Sequence, residues 1–436
     1  MINSGQNLYQ KAKSIIPGGV MLLSKRPEMH LPEKWPSYFS KSKGCYVWDL
    51  EGKKYTDMSI MGIGTNILGY GNKEVDKAVR EVISKGNMST LNCPEEVYLA
   101  EKLIEITPWA SKVRFARTGG EANAIAIRLA RVASGKDKVA FCGYHGWHDW
   151  YLSANHNRID NLTGHLIPGL NPNGVPKNLK ETAFPFQYNN FDELLDIVNN
   201  HNIGVIKMEV IRNFEPKDDF LRKVRDLATK RGIVLIFDEC TSGFRETFGG
   251  IYKKYNIEPD LIIYGKALGN GYAITAILGR EEIMDTAQET FISSTFWTER
   301  IGPTAGLKTL EIMEKMKSWE IIKNQGNKVR NGWKSLALKY GIKVKISGIP
   351  ALSSFIFSSS NHMKYKTLIS QEMLLKGYLA GTLFYVSTSH TDKIINKYLN
   401  DLEQIFSVIS KCEKGNLNID DLLKVPQAHS GFKRLN

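Results

Sequence analysis

The 436-residue sequence is poor in cysteine and lacks long apolar runs. Its five cysteines are odd in number, lie far apart and form no CxxC pair, which argues against a disulfide framework and a structural zinc site. No stretch contains the roughly 18 consecutive apolar residues of a membrane span, and residues 1–10 lack the apolar segment of a signal peptide. We therefore expect a cytoplasmic protein without a membrane partner.

The chain carries 58 basic and 45 acidic residues, which gives a formal net charge of +13. The basic residues are spread along the chain, and no cluster of five or more occurs. A solvated basic surface explains this pattern best, and attraction of a phosphorylated or carboxylated substrate is the next interpretation. Nucleic acid is not an expected partner.

The middle of the chain alternates short apolar runs with amphipathic segments. The apolar runs, several rich in β-branched residues, predict strands at Val113–Ala116, Val139–Cys142, Val205–Glu209, Ile233–Asp238, Leu261–Tyr264 and Ala273–Leu278. Between them, apolar residues recur at helical spacing in segments such as Glu121–Ala133. Strands that alternate with helices indicate an α/β protein with a large, mostly parallel sheet.

The C-terminal part of the chain has a different pattern. Met313–Leu338 predicts one helix, and Ile342–Ser358 predicts short strands around a Gly-Ile-Pro turn. These changes predict four parts. They are an N-terminal segment 1–60 that contributes to a small domain, a large domain 61–320, the small α+β domain 321–412 and a C-terminal tail 413–436.

Four loops at predicted strand ends carry reactive or ligand-binding residues, at the sheet edge where α/β proteins bind ligands. Thr118-Gly119-Gly120 precedes a helix, and its backbone N–H groups suit a phosphate, although a plain turn is the alternative. Tyr144 and His145 belong to an aromatic segment that either stacks on a ligand ring or packs in the core. The histidines there lack the carboxylate spacing of a metal site, so no metal is expected.

The other two loops supply a carboxylate and an amine. Asp238 ends the most apolar strand, where a carboxylate needs a cationic partner such as a protonated pyridine nitrogen, or else caps the following helix. Lys266 follows another apolar strand, where desolvation lowers the amine pKa and favours Schiff-base formation, or else it is a solvated lysine. All four loops in this order are far less probable by chance than any one of them alone.

Together these motifs resemble the class III (ω-type) aminotransferases, which use pyridoxal phosphate (PLP), and in particular the subgroup similar to glutamate-1-semialdehyde 2,1-aminomutase. The resemblance extends over nearly the whole chain, from Ile16–Gly19 through Tyr46–Gly52 and Pro259–Lys266 to Ser389–Thr391. It implies the PLP-dependent aminotransferase fold type I, with a large mixed, mostly parallel sheet domain and a smaller α+β domain.

The resemblance also implies roles for individual residues. Lys266 binds PLP covalently and moves the proton of the reaction, Asp238 pairs with the pyridine nitrogen, and Tyr144 stacks on the ring. His145 and Glu209 match positions near the cofactor.

The phosphate contacts implied by the resemblance include a departure from the family. The backbone at Gly119 and Gly120 holds the phosphate, but the family usually has a hydroxyl residue where Gly120 stands, and Thr118 is the residue expected to compensate. Thr295 matches the threonine that reaches the phosphate of a neighbouring subunit. The resemblance therefore implies a homodimer with active sites at the subunit interface.

Substrate recognition is implied less directly. The aminomutase uses an arginine shortly after its Pro-Gly-Gly segment to bind the substrate carboxylate. The matching stretch here contains Lys25 and Arg26, so Arg26, or else Lys25, is the candidate substrate residue. A surface basic pair is the alternative.

Two departures from the aminomutase bear on the reaction. Ala154–Gly164 is polar and bulkier than its glycine/serine-rich mobile loop, and Gly381–Tyr385 lacks its acidic residue. We therefore expect an aminotransferase that moves an amino group from a small-molecule amino donor to an aldehyde or keto acceptor. Aminomutase-type intramolecular transfer is the alternative, and a noncatalytic binding protein is the third hypothesis. Trp147–Asp149 and Thr295–Arg300 resemble subgroup members associated with surface-polysaccharide or modified-sugar biosynthesis.

Overall fold

The structure is a computed structural model that describes residues 4–158, 160–165 and 167–432. Two compact units make up the chain. The large unit is Lys73–Trp319, and the small unit combines Met1–Asn72 with Glu320–Asn436.

The strands and helices of the described residues are named in chain order. The strands are β1 (Phe39–Lys43), β2 (Tyr46–Asp49), β3 (Lys54–Met58), β4 (Lys112–Ala116), β5 (Lys138–Cys142), β6 (Ala183–Pro185), β7 (Ile203–Met208), β8 (Val234–Glu239), β9 (Leu261–Tyr264), β10 (Thr275–Gly279), β11 (Val344–Ser347), β12 (Leu352–Phe357), β13 (Tyr378–Ala380) and β14 (Leu383–Tyr385). The α-helices are α1 (Ser4–Ile15), α2 (Met61–Gly64), α3 (Lys73–Ile83), α4 (Pro94–Ile106), α5 (Gly119–Ser134), α6 (Asp149–Leu152), α7 (Ala154–Asn157), α8 (Phe191–Asn200), α9 (Phe220–Arg231), α10 (Glu281–Met284), α11 (Ile301–Met316), α12 (Ser318–Tyr340), α13 (His362–Leu375), α14 (Asp392–Glu413) and α15 (Ile419–Leu422).

The large unit contains a seven-stranded sheet with the order β4-β10-β9-β8-β7-β5-β6. The strands from β9 to β6 are parallel, and β10 is antiparallel to both of its neighbours. Every residue of β7, β8, β9 and β10 is buried, so both faces of the sheet centre are covered. The predicted large, mostly parallel sheet is confirmed.

Helix α5 illustrates how the sequence fixes an element near the sheet edge. Thr118 and Glu121 form a reciprocal capping box at its start, and Gly135, with a φ of 63°, ends it. Apolar residues of α5, among them Ala122 and Leu129, are buried against the sheet. The first turn of α5 therefore stands directly after β4.

One predicted element is wrong in extent. The single helix expected over Met313–Leu338 is two helices, α11 and α12, because Lys317 between them adopts left-handed backbone angles of 49° and 54°. The helical spacing of apolar residues continues on both sides, and neither glycine nor proline marks the break, so the pattern gave no signal for it.

The small unit is α+β, as expected. It contains a sheet of order β1-β2-β3-β13 and a sheet of order β11-β12-β14, together with the helices α13 and α14. The segment 413–432 contains α15 and buries Val425 and Ala428, whereas residues 433–436 of the expected tail lie outside the described residues. Within the described ranges, no helix combines the length and apolar character that crossing a bilayer requires.

Candidate active site

Two neighbouring parallel strands bring a carboxylate and an amine to the same edge of the sheet. Asp238, near the end of β8, pairs in register with Ile263 of β9. Lys266 follows two residues after β9 ends at Tyr264. The sequence predicted this common edge, and the strand register agrees with the prediction.

Asp238 is buried and accepts hydrogen bonds on both carboxylate oxygens. His145 Nδ1 lies 2.8 Å from Oδ2, and the backbone N–H of Cys240 donates to Oδ1 at 3.1 Å. Burial alone raises the pKa of this carboxyl group, but the charge of Lys207 and the His145 hydrogen bond outweigh that effect and hold the pKa well below its usual range. Asp238 is therefore an ionised carboxylate that already has a hydrogen-bond donor on each oxygen.

Lys266 is half-buried, and its Nζ donates a hydrogen bond to Thr241 Oγ1 at 2.8 Å. Desolvation, assisted by the nearby positive charge of Arg212, lowers the pKa of the Lys266 amine to about 8. At pH 7 about a tenth of this amine is therefore unprotonated and nucleophilic, far more than of an ordinary lysine.

Glu239 follows Asp238 and points to the opposite face of β8, as consecutive strand residues do. It is fully buried and accepts hydrogen bonds from the backbone N–H groups of Ile251 (2.6 Å) and Tyr252 (3.0 Å) and from the Ser242 hydroxyl (3.2 Å). Burial raises the pKa of Glu239 to about 7. Its role is to fix the loop after β8, which contains Thr241.

The start of α5 offers backbone donors but no free hydroxyl. Thr118 Oγ1 accepts from the Glu121 backbone N–H at 3.3 Å and donates to Glu121 Oε2 at 3.1 Å. No hydrogen bond joins the N–H groups of Gly119 and Gly120 to the described residues. Thr118, expected to compensate for the missing hydroxyl at Gly120, is thus already engaged in the capping box.

Aromatic rings fill the space where a side chain at Gly120 would lie. A Cβ atom there would be 2.7 Å from His148 Cε1, 2.9 Å from His148 Nδ1 and 3.6 Å from Trp147 Nε1. His148 Nδ1 is buried and has no hydrogen-bond partner among the described residues. Glycine at this position is therefore required for the imidazole of His148 to lie against α5.

The aromatic segment after β5 contributes both to the core and to the site. Trp150 and Tyr151 are buried in the core, whereas Tyr144 is only partly buried and packs edge-on against Tyr151 at 5.9 Å. His145 is buried, and its Nε2 lies 3.0 Å from the carbonyl oxygen of Cys142. Core packing thus accounts for Trp150 and Tyr151, and stacking of Tyr144 on a ligand ring stays a prediction.

Glu209 directly follows β7 and is paired with an arginine that the sequence analysis did not identify. Arg212 Nη1 lies 2.8 Å from Glu209 Oε1, and both side chains are mostly buried. The charge of Arg212 also lowers the pKa of Lys266. This pair therefore belongs to the electrostatic surroundings of Lys266.

Thr295 and Arg26 are the other residues predicted from the resemblance. Thr295 is exposed at the start of the 3₁₀ turn Thr295–Thr298. Arg26 lies in the small unit, where its guanidinium is 5.6 Å from the ring centre of Phe432. Their roles stay predictions.

Lys207 and Thr241 were also missed by the sequence analysis. Lys207 is the one charged residue inside β7, so a lysine within an apolar strand was an available signal. Thr241 carried no signal, because only the path of the loop after β8 places its hydroxyl beside Lys266. No group of three or more histidine, cysteine or acidic side chains in the described part is arranged to hold a metal ion.

Residues 31–411 match the family model described as aminotransferase class-III. The chain belongs to the class III aminotransferase family. It is 32% identical over 423 residues to the 3-aminobutyryl-CoA aminotransferase of Cloacimonas acidaminovorans, an alignment that covers 93% of this chain and 97% of the relative. It is 29% identical over 425 residues to the glutamate-1-semialdehyde 2,1-aminomutase of Persephonella marina, with coverages of 92% and 97%.

Solved structures show the same fold for this class III aminotransferase family member. The FumI protein of Sphingopyxis sp. MTA144 superposes with a TM-score of 0.84 at 24% identity, covering 96% of this chain and 99% of that one. The glutamate-1-semialdehyde aminomutase of Pseudomonas aeruginosa PAO1 gives 0.78 at 17% identity, with coverages of 92% and 93%. The predicted family and fold type are confirmed, and the chain is a PLP-dependent enzyme.

The residues at the sheet edge fit the chemical groups of PLP. The half-buried amine of Lys266 suits the aldehyde, and the buried carboxylate of Asp238 suits a protonated ring nitrogen. For the phosphate, the unbonded N–H groups at the start of α5 suit an anion. A Cβ atom at Gly119 would lie only 2.9 Å from Cys240 Sγ. The structure therefore leaves no room for a side chain at this position.

Proposed function

We propose that this class III enzyme is an intermolecular aminotransferase, which moves an amino group from a small-molecule amino donor to an aldehyde or keto acceptor. The observation that carries the proposal is the placement of Lys266, with its lowered pKa, just after β9, the strand next to the one that carries the ionised carboxylate of Asp238 near its end. An amine and a carboxylate at adjacent strand ends are what a tethered, electron-withdrawing ring requires.

When bound, PLP supplies a protonated ring that withdraws electrons from the substrate carbon. Lys266 Nζ would hold the cofactor through its aldehyde carbon and, once the substrate amine occupies that carbon, would carry the proton from the substrate carbon to it. Asp238 would keep the ring nitrogen protonated, with His145 orienting its carboxylate. Tyr144 would pack on the ring.

The phosphate is assigned to the backbone N–H groups of Gly119 and Gly120, with Thr295 of a second copy as a further donor. The exposure of Thr295 supports this homodimer proposal, because its hydroxyl is accessible to a second copy, and Phe291 (84%) and Phe296 (71%), close to it in sequence, are exposed apolar side chains that a second copy would cover. Sedimentation of wild type and of a Phe291→Ser/Phe296→Ser variant tests the proposal. Dimer loss in the variant is expected, and a monomeric wild type would contradict it.

The segment after the Tyr-His-Gly motif supports transfer between two molecules. Ala154–Asn157 is helical, and the buried Asn155 side chain bonds Leu170 O at 2.7 Å and the Leu162 N–H at 3.0 Å. Ile159 lies outside the described residues. A segment tied to the core in this way differs from a glycine/serine-rich loop that closes over one intermediate.

Aminomutase-type intramolecular transfer is the second candidate, because several relatives at 28–29% identity are named glutamate-1-semialdehyde 2,1-aminomutase. The relative at 32% identity acts as a 3-aminobutyryl-CoA aminotransferase and supports the first candidate. The proposal extends to Arg26 as the residue for the substrate carboxylate. A cytoplasmic role in surface-polysaccharide or modified-sugar biosynthesis rests only on the similarity of Trp147–Asp149 and Thr295–Arg300.

The decisive experiment has two stages. Borohydride reduction followed by mass spectrometry is expected to find PLP on Lys266 in wild type and none in Lys266→Ala. Wild type is then incubated with an amino donor alone, with an acceptor alone and with both. Product only with both reactants supports the aminotransferase, whereas catalytic isomerisation of a single amino substrate would establish the aminomutase instead.

A further inference from the structure

Lys207 is a fully buried lysine in the centre of the large sheet. It lies on β7, where every residue is buried, and its own exposure is 0%. Its Nζ has no hydrogen-bond partner among the described residues. Packing alone does not account for it, because an apolar side chain would fill the same space without the cost of desolvating an ammonium group.

The charge of Lys207 is directed at Asp238. Lys207 Nζ lies 3.9 Å from Asp238 Oδ2, the oxygen that also faces His145 Nδ1 at 2.8 Å. Lys207 pairs in register with Ile236, two residues before Asp238, so both side chains leave the same face of the sheet. Asp238 therefore faces a cation and a ring N–H before any ligand nitrogen approaches it.

Other ionisable groups also act on Lys207. Glu209, on the segment that follows β7, and Cys240, after β8, both favour its charged form, as Asp238 does. His145 Nδ1 lies 2.8 Å from Asp238 Oδ2, and His145 Nε2 lies 3.0 Å from the carbonyl oxygen of Cys142. Both of these oxygens are hydrogen-bond acceptors. The single negative charge of Asp238 is thus shared among several donors.

We infer that Lys207 tunes the cofactor: its ammonium group competes with the PLP ring nitrogen for the charge of Asp238 and thereby lowers the proton affinity of that nitrogen. The inference rests on the proposed role of Asp238. A carboxylate with no second cation would hold the ring proton over a wider pH range. Lys207 is then a positioning residue that acts through Asp238, and it makes the electron-withdrawing power of the ring depend on pH.

The test uses holoenzyme loaded with PLP that carries ¹⁵N at the ring nitrogen, and it follows the ¹⁵N NMR shift as a function of pH. Lys207→Met keeps an unbranched side chain, one atom shorter, and removes its charge. Lys207→Leu is a second neutral variant in case the methionine variant does not fold. The titration midpoint of the ring nitrogen is expected to rise by about one pH unit, a tenfold change in proton affinity. Lys207→Arg, which keeps the charge, is expected to leave it near the wild-type value.

Lys253→Met is the matched control, because Lys253 lies in the same unit and donates to the carbonyl oxygens of Ile106 and Phe248 instead of facing Asp238. Its midpoint is expected to equal that of wild type. An unchanged or lowered midpoint in the neutral Lys207 variants overturns the inference.

Failure of the inference and failure of the proposed function give different results. Borohydride reduction of each sample reports whether PLP is attached to Lys266. An adduct with an unshifted ring nitrogen removes only the role of Lys207. The absence of an adduct in wild type removes the assignment of Lys266 and, with it, the basis for assigning Asp238.

Discussion

Replacing Lys207 by methionine is expected to stabilise the protein without cofactor. Desolvation lowers the pKa of Lys207 from 10.5 to about 8, even with Asp238 nearby. A shift of this size corresponds to about 3 kcal/mol of destabilisation of the folded state at neutral pH. Methionine fills a similar volume without a charge, and Asp238 keeps its contacts with His145 and the Cys240 amide.

The pH dependence of this effect has a definite sign. Because the pKa of Lys207 is lower in the folded than in the unfolded chain, the unfolded chain binds the proton more tightly between pH 8 and 10.5. The full destabilisation is present below pH 8 and disappears as the pH rises through this window. The advantage of Lys207→Met is therefore expected to be about 3 kcal/mol at pH 7 and to vanish near pH 10.5.

Urea unfolding of the cofactor-free wild type and variant, followed by tryptophan fluorescence at a series of pH values, measures this difference. Lys253→Met is the control, and it is expected to lose stability because two carbonyl oxygens lose their donor. The reasoning would be refuted if Lys207→Met were less stable than wild type at pH 7. In that case the attraction between Lys207 and Asp238 would exceed the cost of burial.

Three further predictions concern cofactor binding. Gly120→Thr is expected to weaken PLP binding about tenfold, because the collision of the new side chain with His148 costs ~1–3 kcal/mol. Adding His148→Ala to this variant should restore PLP binding. The release of PLP, followed by absorbance, measures both effects. The rate at which PLP rejoins the cofactor-free protein should rise with pH around a midpoint near 8, because only the neutral Lys266 amine reacts, and Arg212→Gln should move that midpoint upward. Thr241→Val should move it downward, because the ammonium form loses its hydroxyl acceptor, and equal midpoints in the two variants would contradict both assignments.

The sequence predicted the fold well where a pattern reports burial directly. The expected strands around Asp238 and before Lys266 lie within one or two residues of β8 and β9, because a run that is buried on both faces leaves a continuous apolar signature. The break between α11 and α12 at Lys317 left no such signature, because the apolar residues on either side of it keep helical spacing.

The candidate site was predictable only in its outline. Residues at strand ends, such as Asp238 and Lys266, were found because parallel strands end at a common edge. The contacts of Lys207 and His148 depend on which side chain faces which across the sheet and over α5. A one-dimensional pattern contains no information on such pairings, so the role of Lys207 and the reason for Gly120 emerged only from distances.

The alternation of Asp238 and Glu239 makes β8 intolerant of changes in length. Inserting or deleting one residue upstream within the strand would turn the glutamate toward the face that Asp238 occupies and the aspartate toward the face where Glu239 accepts from the N–H groups of Ile251 and Tyr252. Conservative point substitutions leave that orientation intact, whereas a single-codon indel moves each carboxylate to the opposite face. Libraries built to diversify this enzyme by insertion and deletion should therefore spare 234–239.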